Sequence, residues 1–391
     1  MSRRRARARI LFVGSFPPPE RHVFGGNVTA CAGLMGSAFA RELEVLTLDS
    51  SARTVPAPPL LARIGYGLAR SVRFVASLER SRPDAVLLFC SAGASFAEKA
   101  AYAAYARLRG VPSILSMRDG GFMGQYRRSR LFRALARRLV GAPRMLLCQG
   151  ATWQRYFAET FALPGERLPI VENWVASPGL LALAEDRGRR AAAAGEVSLL
   201  FVGHVERTKG VFELLDTVAS LAASAPGVRL VIAGDGTARA EAERRAEELG
   251  IADRVRFAGW ITGREKLDAF AAADVFVLPS HFEGFPNVVV EAMAAGLPVV
   301  TTPVGSVADV IEPGKNGLLV PVEDAKALAE AISRLASDPA ERRRMGAEGH
   351  RTARARFATE AAAERLVALV REVCGGAPPA PLATRPGENP A

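Results

Sequence analysis

The chain has 391 residues, 49% of them hydrophobic and 23% charged, with a net charge of +11. That length exceeds one ordinary hydrophobic core and suits two domains, and the composition excludes a disordered chain. The longest apolar runs are strand-sized, as at 86–90, well short of the roughly 18 to 20 residues of a membrane span.

Residues 1–9 carry five arginines. The run 10–13 behind them is too short for a signal-peptide core and reads as a first strand, so a cytoplasmic location is expected. Short β-type runs then alternate with longer helical ones, the pattern of parallel-sheet α/β units. Strands are predicted at 9–14, 44–48, 85–89, 113–117, 145–148 and 169–172, with helices such as 97–109 between them. A polar stretch rich in Gly, Arg and Ala, 177–195, is expected to be a surface transition between domains. The pattern restarts with strands at 198–202, 229–233, 255–258, 275–278, 298–301 and 317–320. Helices are expected at 211–224, 237–249, 264–271, 287–295 and 325–337, then at 339–357 and 359–373. The Pro/Gly/Ala-rich tail 375–391 is expected to be disordered. Two doubly wound, Rossmann-like domains in tandem would place a ligand crevice beyond the carboxyl ends of their strands, between the domains.

Four cysteines, Cys31, Cys90, Cys148 and Cys374, lie more than fifty residues apart with no CxxC pairing, so free buried thiols are expected. Four scattered histidines give no zinc spacing. Charge is lopsided: residues 1–175 hold 26 Lys and Arg against 11 Asp and Glu, whereas the remainder hold 25 against 29. A basic part joined to a near-neutral one implies a face that seeks phosphate, whether on anionic lipid, nucleic acid or a phosphorylated acceptor. Two helical stretches, 60–82 and 127–144, set arginines beside an apolar stripe, which suits anionic headgroups. An amphipathic helix packed on a sheet, with solvated arginines, fits the same pattern. No recognition helix, zinc finger or RNP-like string supports nucleic-acid binding.

The most informative stretch is SHFEGFPNVVVEAMAAGLPVVTT, residues 280–302. A strand runs into a loop holding Glu283, Gly284, Phe285 and Pro286, and a helix begins near Asn287 with Glu291 on its first turns. A helix N-terminus offers unpaired N–H groups to an anion, Gly284 permits close backbone approach, and Pro286 sets the turn. Two carboxylates eight residues apart suit two sets of sugar hydroxyls, each oxygen accepting hydrogen bonds. As bare spacing, a capping Glu beside a solvent-facing Glu explains the pair better, but the complete string between a strand and an Ala/Gly-rich helix reverses that.

This stretch resembles the large family of GT-B retaining glycosyltransferases, family GT4, whose E-x7-E motif Glu283 and Glu291 match. FVGHVERTKG (201–210), VIAGDG (231–236), ADVFVLPS (273–280) and PVGSVADVIEPGKNGLLVPVED (303–324) follow in family order. The resemblance implies a GT-B architecture, two Rossmann-like domains facing across a cleft. The acceptor would bind 1–176 and the nucleotide-sugar 177–357, with a C-terminal helix, 358–374, packing back on the first domain. It also implies roles for single residues. Glu291 would hold the ribose hydroxyls, and Glu283 would lie at the donor sugar. Amides around Gly284, Phe285, Pro286–Asn287 and Val288 would bind sugar hydroxyls and phosphate, Pro286 itself having no N–H. Lys209 matches the family's diphosphate-binding lysine. Gly25 and Gly26, after the first strand, match its glycine loop.

Two departures stand out. Where the family usually has arginine after the strand and glycine, this chain has His204, and Arg207 three residues on is either a replacement guanidinium or a solvent-exposed side chain. Where the family commonly places a first-domain histidine at the donor sugar, the segments FCSAGASF and SMRDGGF offer Ser91, or Arg118 with Asp119. That pair either faces the cleft or is a turn-capping Asp beside a surface Arg. The expected reaction is retaining transfer from a nucleotide-sugar donor to a lipid-linked or other saccharide acceptor, carried by positioning and electrostatics. With no DxD string near these motifs, no metal or other cofactor is expected. An anionic membrane surface is the expected further partner, at the inner face of the cytoplasmic membrane. A catalytically silent relative, an epimerase or a phosphorylase of the same architecture are the competing readings.

Overall fold

A computed structural model describes residues 7–17, 26–51, 59–118, 121–187, 196–285 and 287–375. Gly25, Asp119, Pro286 and the tail beyond Gly375 lie outside the described residues. The chain divides into two compact units, one drawn from 1–149, 153–171 and 363–391, the other from 150–152 and 172–362.

In the first unit the order is β1 (Arg9–Gly14), α1 (Gly26–Met35), α2 (Ala38–Glu42), β2 (Glu44–Asp49), α3 (Leu60–Ser81), β3 (Ala85–Cys90) and α4 (Ala94–Leu108). Then come β4 (Ser113–Met117), α5 (Gly121–Arg128), α6 (Arg130–Leu139), β5 (Met145–Leu147) and α7 (Ala151–Phe161). The five strands are parallel in the order β2-β1-β3-β4-β5. Every residue of β3 and β4 is buried, as expected of parallel strands covered on both faces. The strand expected at 169–172 is reduced to one bridge, Cys148 to Ile170, because Pro169 has no N–H to extend the ladder.

Two halves of α3 behave differently. Phe74 and Leu78 are buried, with Phe74 stacked on Tyr102 at 4.2 Å between ring centroids. Leu61, Ile64, Leu68 and Val72, recurring at helical spacing, are 51–83% exposed. One face is therefore packed as an ordinary amphipathic helix, and a second apolar stripe meets solvent.

The second unit runs α8 (Pro178–Arg187), β6 (Val197–Val202), α9 (Val211–Ser220), β7 (Val228–Ala233), α10 (Arg239–Glu248), β8 (Val255–Gly259), α11 (Gly263–Ala272) and β9 (Val275–Leu278). It continues with α12 (Asn287–Ala294), β10 (Val299–Thr301), β11 (Leu318–Leu319), α13 (Ala325–Ser337), α14 (Pro339–Phe357) and α15 (Thr359–Gly375), the last belonging to the first unit from Ala363 on. Its parallel order, β11-β10-β9-β6-β7-β8, is the doubly wound 3-2-1-4-5-6 arrangement, reversing direction between β6 and β9. Helix α14 starts where Asp338 accepts hydrogen bonds from the Ala340 and Glu341 amides, both at 2.9 Å, with Pro339 in the first turn, a cap that satisfies otherwise unpaired donors.

Of the stretch 177–195, expected to be a surface transition, 178–187 form α8 and 188–195 lie outside the described residues. Leu180 is buried, and the Arg187 guanidinium donates to the carbonyls of Phe270 and Ala273, both at 2.6 Å, and of Ala295 at 3.2 Å. The composition of the stretch, rich in Gly, Arg and Ala, read as polar, yet one arginine donating to four carbonyls, Ala271 at 3.4 Å included, docks the helix. All four cysteines are free; Cys31, Cys90 and Cys148 are buried, but Cys374, near the end of α15, is exposed. Burial pushes the Cys148 thiol up to about 12, leaving almost no reactive thiolate.

Candidate active site

Chemistry-bearing residues of the second unit gather at the carboxyl ends of β6 and β9, where the sheet reverses. Beyond β6 the chain makes a short turn at 207–209 and enters α9 at Gly210. After β9 it passes Pro279 and Ser280 into the Glu283 loop. The two loops are tied together: the His281 amide donates to the Thr208 carbonyl at 2.9 Å. Thr302 Oγ1, following β10, donates to the Ser280 carbonyl at 2.5 Å. Gly210, at φ +70°, lies so close that a Cβ would sit 2.1 Å from the Pro279 carbonyl oxygen, and at Gly305 (φ +57°) a Cβ would sit 2.1 Å from that of Glu283. Both positions need glycine twice over, for the left-handed backbone and for the space.

That framework brings Lys209 Nζ to 2.7 Å from Glu283 Oε1. Ser280 Oγ, fully buried, donates to the same oxygen at 2.8 Å. Eight residues on, Glu291 sits on α12 with its side chain only 12% exposed. A shielded carboxylate is costly unless paired, and the partner is Lys266 of α11, whose Nζ lies 2.8 Å from Oε1 and 2.6 Å from Oε2. Burial raises the Glu291 carboxyl above the ordinary carboxylate range, and Lys266 opposes that rise. Two acid–base pairs thus flank the start of α12.

Other expected residues have different surroundings. Arg207 is exposed, paired with Glu241 of α10 and lying over the Phe212 ring at 4.5 Å. His204 is exposed beside the half-exposed Trp260, ring centroids 5.3 Å apart. The Asn287 amide donates to the Phe285 carbonyl at 3.0 Å, so it is engaged within the loop, and Asn287 Oδ1 accepts from Asn173 at 2.5 Å. The Gly284 carbonyl accepts from the Ser306 amide at 3.1 Å. Phe285 packs against Phe357, and Val288 is half-buried.

In the first unit, Gly26 opens α1 after β1, and Ser91 follows β3 with its amide donating to Ser95 Oγ at 3.2 Å. These two flank the point where that sheet reverses between β1 and β3. The Arg118 amide, after β4, donates to the Cys90 carbonyl at 2.8 Å, and its guanidinium lies over Phe89 at 5.1 Å. Burial lowers Arg118 to about 10, with Cys31 acting in the other direction. Ser280, Lys266 and Trp260 were not singled out from the sequence. Ser280 closes the ADVFVLPS string and was legible there; nothing in the local pattern points to Lys266.

Residues 184–352 match the family model described as glycosyl transferases group 1. That segment is a member of the group 1 family. The group 1 segment contains Lys209, Lys266, Glu283 and Glu291. The chain is 33% identical over 201 residues to the lipopolysaccharide core biosynthesis glycosyltransferase LpsE of Rhizobium meliloti, covering 51% of this chain and 57% of that one. It is 38% identical over 198 residues to the D-inositol 3-phosphate glycosyltransferase of Corynebacterium urealyticum, covering 49% and 44%. The chain spans about half the length of the curated relatives it matches. Among solved structures it resembles sucrose-phosphate synthase from Thermosynechococcus elongatus (TM-score 0.74, 22% identity, 94% of this chain and 99% of that one). It also resembles Anabaena HepE in complex with UDP (TM-score 0.68, 18% identity, 93% and 100%). The two parallel sheets are those of the GT-B fold.

Proposed function

We propose that this chain is a retaining glycosyltransferase that moves a sugar from a nucleotide-diphosphate sugar to an acceptor hydroxyl, the acceptor being a lipid-linked saccharide of surface-polysaccharide synthesis. The observation that carries the reading is the Lys209–Glu283 pair at the reversal point of the second sheet, within the group 1 segment. Strand order puts ligands at that point, and a lysine there is a fixed positive charge for a leaving diphosphate. HepE, a neighbour in fold, is described in complex with UDP-glucose.

In this reading Lys209 exchanges Glu283 for the donor diphosphate, and Glu283, still held by Ser280, turns to the sugar. The bond from the anomeric carbon to the diphosphate breaks, the acceptor oxygen attacks from the face being vacated, and a diphosphate oxygen takes the acceptor proton. Glu291 accepts from the ribose hydroxyls. These steps use the chain's own cations, and transfer is expected to persist in EDTA; loss restored by Mn²⁺ or Mg²⁺ would count against this. A thermal-shift screen of UDP-, GDP- and ADP-sugars tests the donor assignment: one series should raise Tm, since a ligand at a hundred times its Kd adds ~2.7 kcal/mol to stability. No shift with any of them, and no sugar transfer or release, would favour a silent relative.

The proposed site of action is the inner face of the cytoplasmic membrane, held peripherally. Two features support it: the basic charge of residues 1–175 and the exposed apolar stripe of α3, flanked by Arg63 and Arg73. Among the described residues no helix is long and apolar enough to cross a membrane.

A further inference from the structure

The carboxylate of Glu291 is the one ionisable group on α12, and its surroundings narrow what governs it. Strands β9 and β10, beside α12, bring only apolar and hydroxyl side chains. Helix α8 brings Arg187, whose nitrogens are taken by the carbonyls of 270, 273 and 295. Helix α14 brings His350, whose Nδ1 meets the Ala294 carbonyl at 2.8 Å. Lys266 alone among these reaches the carboxylate, and it touches both oxygens. A carboxylate has about four lone-pair directions; an ammonium centred on one side occupies two and leaves two for a vicinal diol.

We infer that Lys266 is a positioning residue for donor binding: its ammonium keeps the shielded Glu291 carboxylate ionised and aimed, so that both oxygens accept hydroxyls of the nucleotide ribose. This rests on the reading above that Glu291 holds the ribose. Burial favours the neutral carboxyl, which donates through one oxygen and so no longer matches two hydroxyl donors; the lysine charge favours the carboxylate, which accepts through both. With Lys266 gone, burial acts alone, the carboxyl rises further, and the protonated fraction grows as pH falls. Lys266 is itself about a third exposed, so its removal leaves no unfilled core.

The experiment measures binding of UDP, GDP and ADP by calorimetry to the full chain and to K266M, K266R and E291Q, across the acid-to-neutral range. For the diphosphate that binds the unaltered chain tightest, K266M should weaken affinity about tenfold near neutrality, the scale of one charge-assisted hydrogen bond. The loss should grow as pH falls, while K266R stays close to the unaltered chain with a flat profile. A K266M loss that is the same at every pH, or no loss at all while E291Q binds weakly, overturns the role of Lys266 and leaves the ribose assignment standing. If E291Q binds as well as the unaltered chain, or none of the three diphosphates binds, the ribose assignment fails and this inference with it. An unchanged Tm for K266M separates these outcomes from misfolding.

Discussion

Lys209 and Glu283 are 74 residues apart in sequence and 2.7 Å apart in space, and the proposed reaction gives each a second use once the donor arrives. Lys209→Ala should lower kcat by about 10²–10³, the size of losing one preorganised group at a developing charge, with a smaller change in donor KM; initial rates over a donor series separate the two. Arg207→Ala should cost far less in the same assay, because the Arg207 side chain is engaged at the surface by Glu241 and Phe212. An Arg207→Ala loss equal to that of Lys209→Ala would show that the guanidinium leaves those partners to meet the donor. In the sequence these two basic residues stand two apart, and only the resemblance separates them, matching Lys209 and leaving Arg207 open. The short turn at 207–209 directs one to the β9 loop and the other to α10, a distinction no local pattern carries.

Elements place these side chains through their ends. Gly210 and Gly305 press the β6 and β10 loops against the Pro279–Glu283 backbone, so Gly305→Ala should shift the carboxylate as well as strain the loop. A cost of ~1–3 kcal/mol is expected from the left-handed backbone, read as a lower denaturation midpoint, together with reduced transfer at saturating donor. Full activity and stability in that variant would mean the loop yields without moving Glu283. The glycine was visible in the string PVGS, but its contact with Glu283, 22 residues earlier, was not. Helix α3 teaches the same lesson from the other side. Its length and apolar spacing were readable, yet which apolar residues pack on Tyr102 and which remain in solvent was settled only by the unit that α3 covers.

For the molecule as a whole, the basic charge and the exposed Leu61–Ile64–Leu68–Val72 stripe predict cosedimentation with vesicles of anionic lipid and release as salt rises, because the Debye length falls to ~3 Å at 1 M. Replacing Leu61 and Leu68 by Ser should weaken that binding without altering transfer to a soluble acceptor; vesicle binding indifferent to both changes would remove α3 from the account. What the sequence determined by itself was everything written in periodicity: the alternation of strand and helix, the two parallel sheets, and the motifs strung after β6 and β9, since short-range sterics and burial on both faces leave a local trace. Tertiary structure alone decided strand order, and hence that Lys209 meets Glu283. It also decided that Lys266 meets Glu291 and that Arg187 turns a polar stretch into a docked helix. Those are pairings of groups distant along the chain, and a hydrogen bond or ion pair acts over a few ångströms of space whatever length of chain lies between its partners.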